Sequence, residues 1–245
     1  MPKHYYSMTQ PEQGGPVELY IYGDILCEED EPTPPGSVSS HRLATALEGL
    51  NASAVTVYIN SYGGHTSEGL AIYHALRRLE CPITTVCDGF ACSAASLVFM
   101  AGDRRVMQQA SLLMIHNAWL PACGNAAQLR KVAEDLDKIS AAGRAIYRAA
   151  VTISDEELDA LLDNESWIAP AEAVAMGFAT EVADVAPKSL PSQSCGRLVF
   201  QRLLDGATVP IHVAVCQQEQ KTEADPDFGA AVEQFVTSAF QALGK

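Results

Sequence analysis

Strand-like runs alternate with amphipathic helical stretches along the first two thirds of the chain, and this alternation narrows its folds sharply. Residues 54–60, rich in β-branched side chains, run into the glycine turn Ser61-Tyr62-Gly63-Gly64. A helical pattern follows to Arg78, with Leu70, Ile72, Tyr73, Leu76 and Leu79 available for burial. Residues 83–87 repeat the arrangement: a short strand, a tight turn at Gly89, and an apolar helix over 93–101. Before them, residues 17–25 read as a strand and 37–50 as a helix capped by Ser37 or Ser39. After them, 104–107 and 111–115 read as strands, the second ending at His116. Strands separated by helices need crossover connections, so the pattern implies an α/β fold with mostly parallel pairing.

The later elements are simpler. Residues 125–150 form one long amphipathic helix, of a length that often projects from a compact domain. Ser154 and Glu157 have capping-box spacing at the start of another helix. Trp167 and Ile168 are extended, Pro170 opens a short helix that Gly177 ends, and 179–185 is the last candidate strand. The expected organisation is a flexible N-terminal tail over 1–16, a catalytic-sized domain over 17–185, and an appendage over 186–245. Within the appendage, 198–204 and 209–215 are candidate strands and 228–243 a candidate amphipathic helix. The acidic, proline-rich run from Glu28 to Gly36 reads as a solvated loop.

Composition excludes several roles. The formal charge of -14 would repel nucleic acid backbones and anionic membranes. The first 16 residues carry no secretion-type apolar run, and no transmembrane span is expected. Seven scattered cysteines fit free thiols in a reducing cytoplasm rather than a disulfide scaffold or zinc knuckle. Neither a dinucleotide fingerprint nor a Walker loop is present, so no cofactor is expected, and no metal-ligand spacing stands out.

Chemistry concentrates on Ser93. It follows Asp88-Gly89-Phe90-Ala91-Cys92 and precedes Ala94-Ala95-Ser96, so small neighbours leave its hydroxyl accessible to a carbonyl carbon. The start of a helix beside it supplies backbone N–H groups without intrahelical partners. A serine hydroxyl needs a base to take its proton. His116, at the C-terminal end of an apolar strand, ranks first and His65 second. Asp163, Glu165 and Asp184 are the candidate acids, unranked by residue pattern alone. The Gly63-Gly64 turn and the Ala94 N–H are candidate oxyanion donors.

Four blocks in one order carry a family resemblance: Ile59-Asn60-Ser61-Tyr62-Gly63-Gly64, Asp88 to Ser96, Met114-Ile115-His116-Asn117, and Glu165-Ser166-Trp167-Ile168 with Glu172 to Phe178 after it. The chain resembles the Clp-type serine peptidases, and most of all the Clp-related head maturation proteases of tailed phages and prophages. The resemblance implies a crotonase-like fold of stacked βαβ units with a protruding handle helix. It places the nucleophile at Ser93, the base at His116, and the acid at Glu165 with Asp163 as the alternative. The oxyanion donors fall on the Gly64 and Ala94 backbone, and an extended substrate strand near Gly63. Tyr62 stands where the cellular enzymes usually carry proline, and Glu165 where they usually carry aspartate. Rings of six or seven copies, stacked in pairs through the handles, are implied. So are polypeptide substrates among phage head proteins, and a setting in the host cytoplasm or an assembling prohead. The rival readings are an acyl-CoA hydratase or thioesterase on the same fold, and a ring-forming assembly protein without catalysis.

Overall fold

The structure is a computed structural model and describes residues 6–8, 14–27 and 37–183, all within one compact unit. The acidic run at Glu28 to Gly36, Asp184 and the whole stretch 186–245 lie outside the described residues.

The element order is β1 (Tyr6–Met8), β2 (Val17–Ile21), α1 (Ser40–Leu47), β3 (Val55–Ser61), α2 (Thr66–Arg77), β4 (Ile83–Cys92), α3 (Ala94–Phe99), β5 (Arg104–Met107), β6 (Leu112–Ile115), α4 (Ala126–Arg148), α5 (Asp155–Asp163), β7 (Ser166–Ile168), α6 (Pro170–Met176) and β8 (Glu181–Val182). The strands form one sheet in the order β1-β2-β3-β4-β5-β8, with β6 branching from β4 and carrying β7. Pairings β2–β3, β3–β4, β4–β5, β4–β6 and β5–β8 are parallel; β1–β2 and β6–β7 are antiparallel. The sheet is therefore mixed but mostly parallel, as the alternation requires.

Strict alternation of buried and half-buried residues in β2 and β3 puts one face on the core. Leu19, Ile21, Val57 and Ile59 meet Leu43 of α1, Ile72 and Leu76 of α2, and Val98 and Phe99 of α3 in one cluster. Each such side chain contributes about 1.5–3 kcal/mol by leaving water, which makes this cluster the main stabilising term.

Two elements differ from the sequence reading. Residues 6–8, expected in a flexible tail, form β1 in register Tyr6↔Ile21 to Met8↔Leu19. Without them β2 would be an open edge with unpaired backbone groups. Gly89, expected to make the turn before Ser93, lies inside β4. A Cβ there would sit 2.6 Å from the Asn60 side-chain oxygen, and that oxygen accepts the Phe90 N–H at 3.2 Å. The glycine thus serves close approach between β4 and β3, where the register shifts between Ile59 and Ser61. The irregularity lets one strand serve two neighbours: Thr84 to Cys87 pair with β5, and Phe90 to Cys92 with β6.

The long helix α4 starts at a full capping box, Asn125 with Gln128. Most of its length stands in solvent, with Leu129 and Ile139 exposed, and only its last turns are buried, through Gly143, Ile146 and Tyr147. No described helix is long and apolar enough to cross a membrane.

Candidate active site

Ser93 sits between β4 and α3 in a backbone conformation of φ 53, ψ -124. A non-glycine residue there is strained by about 1–3 kcal/mol, so its surroundings must hold it. Its N–H donates to the Met114 carbonyl at 2.9 Å, and its carbonyl accepts the Ser96 hydroxyl at 2.5 Å and the Ser96 N–H at 2.9 Å. Gly63 packs directly on the turn: a Cβ added to it would lie 2.5 Å from the Cys92 carbonyl and 2.7 Å from the Ala94 nitrogen. Ser96 also bonds Tyr147 of α4 at 2.6 Å, which places it as a packing residue. Cys92, next to the nucleophile candidate, is buried and its thiol pKa is pushed far up by that burial, so it stays a neutral thiol.

The donor candidates flank the serine. Ala94 opens α3, so its N–H has no intrahelical acceptor. Gly64 adopts φ 141 against Ile25, whose carbonyl leaves no room for a Cβ. The Ile25 N–H bonds the Gly63 carbonyl at 2.7 Å and the His65 N–H bonds the Ile25 carbonyl at 2.8 Å, so the Gly64 N–H takes part in neither bond. The Ser61 hydroxyl, donating to the Gly23 carbonyl and accepting the Gly63 N–H at 3.1 Å, braces the start of this turn.

Register delivers the histidine. The parallel pairing Phe90↔Leu112 to Cys92↔Met114 brings the end of β6 beside the end of β4. His116 Nε2 lies 2.7 Å from Ser93 Oγ. For Nε2 to accept, the ring proton must be on Nδ1. Burial is the main effect on this ring and lowers its pKa; Glu165 and a hydrogen bond to the Asn117 backbone oppose it. His65, the second candidate base, instead opens α2 as its N-terminal cap residue.

Register also brings the candidate acids near the histidine. The antiparallel pairing runs Leu113↔Ile168, Met114↔Trp167, Ile115↔Ser166. The pairing stops there, with His116 and Glu165 the next residues on the two segments, and the Glu165 charge acts on the imidazole, raising its pKa. Glu165 follows the C-cap of α5 with φ 49, a position where helices usually place glycine. Asp163 has a different partner: its Oδ1 accepts the Asn117 Nδ2–H at 2.7 Å. The role of Asn117 carries no local sequence signal, because its partner lies 46 residues away. Among the described residues, Ser93 and Glu165 are the non-glycines at positive φ. Strain of this kind clusters at functional sites. No group of three or more metal-ligand side chains is gathered among the described residues.

Residues 40–186, more than half of the chain, match the Clp protease family. The chain belongs to the Clp protease family. An ATP-dependent Clp protease proteolytic subunit of Deinococcus radiodurans is 32% identical over 132 residues, covering 53% of this chain and 65% of that protein. The subunit of the same name from Chlorella vulgaris is 30% identical over 176 residues, 68% of this chain and 86% of that protein. A ClpP1 mutant from Listeria monocytogenes shares the fold at a TM-score of 0.56 with 23% identity, covering 69% of this chain and 91% of that chain. As a Clp protease, the chain is a serine-type peptidase.

Proposed function

We propose that the chain hydrolyses peptide bonds through an acyl-enzyme formed on Ser93. The observation that carries the reading is the 2.7 Å contact between Ser93 Oγ and His116 Nε2 at a strained turn. Ser93 attacks the scissile carbonyl while His116 Nε2 takes its proton. Glu165 stabilises the imidazolium that forms, and the Gly64 and Ala94 N–H groups hold the oxyanion, each such donor being worth about 3 kcal/mol in the transition state. His116 then protonates the leaving amine, and water releases the acyl group. The substrate lies extended beside Gly63, bonded through its main chain. Hydrolysis itself consumes no nucleotide, and no cofactor or metal enters a step.

Protein substrates, a homo-oligomeric ring and a cytoplasmic setting follow the family pattern. The free thiols of the described cysteines fit that setting. The finer reading adds stacked βαβ units of crotonase type, six- or seven-membered rings, and pairing of rings through α4. The exposed Leu129 and Ile139 support the last of these. It also takes the substrates to be scaffold, portal or capsid proteins of a phage head. The resemblance carried by the four sequence blocks supports that assignment.

The test is mass spectrometry of such head proteins after incubation with wild type and with Ser93→Ala. Defined cuts that vanish in the variant are expected. Cleavage of a generic peptide without any cut in head proteins would leave a peptidase and remove the head-maturation role.

A further inference from the structure

Beyond Ile115 the chain leaves β6, so the ladder no longer holds the residue that carries the base. Side chains from two other elements hold it instead. Ser140 of α4 accepts the Ala118 N–H at 3.0 Å, and Asp163 of α5 accepts the Asn117 Nδ2–H at 2.7 Å. Asn117 directly follows His116, so a fixed Asn117 fixes the backbone that carries the ring. Asp163 is also an odd residue for its place. It ends α5, where the helix dipole is negative and no basic residue stands in the last turn. Helix formation does not account for a carboxylate there, whereas the bond from Asn117 does.

We propose that Asp163 is a positioning residue that, by holding the Asn117 side chain, fixes the backbone that carries His116, and that Glu165 alone supplies the paired charge. This rests on the reading of Ser93 and His116 as nucleophile and base. The work of the third group is then divided between two carboxylates on either side of Asn164. Asp163 acts through Asn117 and Glu165 acts through its charge, one residue beyond the last pair of β6 with β7.

The experiment uses the full-length assembled chain, with a fluorogenic peptide for kcat and KM and a fluorophosphonate for the rate of Ser93 labelling. Asp163→Ala is expected to lower kcat on the order of 10- to 100-fold with KM unchanged, the scale of a misplaced reacting group. Asp163→Asn keeps an oxygen that accepts the same bond and should recover most of the loss. Asn117→Ala should reproduce the fall, and the double variant should be no worse than either single one. Wild-type kcat in Asp163→Ala, a loss in Asp163→Asn as deep as in Asp163→Ala, or additive losses would each overturn the proposal. So would a fall in kcat that merely tracks a lower ring mass or melting temperature. Absence of labelling in wild type, or undiminished turnover by Ser93→Ala, would instead remove the underlying peptidase reading.

Discussion

Two turns carry the strained non-glycine residues among the described ones, and they are built in opposite ways. The Cys92-Ser93-Ala94 turn is enclosed: Cys92 and Ala94 are buried, Gly63 abuts it, and the Met114 carbonyl and Ser96 fix its backbone. The Asn164-Glu165-Ser166 turn is exposed and held more lightly, by the Glu165 N–H to the Leu162 carbonyl at 3.3 Å and by the start of β7. The first turn over-determines the place of its hydroxyl. The second retains a glutamate where glycine would cost less, and the proposed pairing of its charge with His116 accounts for it.

The contrast can be broken from either side. The largest expected effect is on activity: Glu165→Gln should lower kcat by about 10² to 10⁴, the range seen when a triad acid loses its charge, with KM little changed. Steady-state kinetics on a peptide substrate would check it, and a loss below tenfold would return the acid's role to Asp163. Next comes Gly63→Ala, whose Cβ meets the Cys92 carbonyl and the Ala94 nitrogen at a φ of 89. Overpacking there should cost about 1–3 kcal/mol in urea unfolding, and more if the turn cannot yield. Glu165→Gly should do the reverse. It should stabilise the fold by about 1 kcal/mol by relieving the left-handed backbone while abolishing efficient turnover. The smallest effect is on the pH profile. Burial lowers the pKa of His116, so the acid limb of kcat/KM should fall below the ordinary histidine value of about 6.5. Activity is then kept as pH drops past that value and is lost lower down. Removing the Glu165 charge, which opposes the shift, should move the limb lower still.

The same contrast explains what the sequence discloses. The strand and helix order from β2 to α6 is legible because apolar periodicity and capping residues report it locally, as at Asn125, Ser154 and Gly177. Ser93 is legible because small residues and a glycine precede it, although Gly89 serves strand contact and the turn lies four residues on. Residue pattern alone does not rank Glu165 against Asp163 or give Asn117 its partner, since β6 and β7 are joined across α4 and α5. Local propensity carries no trace of a pairing that distant. The edge strand β1 escapes the sequence for the same reason, being three residues whose structure depends on β2.

The central claim is that Ser93 is an activated nucleophile, and fluorophosphonate labelling of the assembled protein at neutral pH tests it most directly. The account predicts one adduct per chain, mapped to Ser93, absent in Ser93→Ala and strongly slowed in His116→Ala. An intact assembly that takes up no label, or that is labelled at another serine, would contradict it.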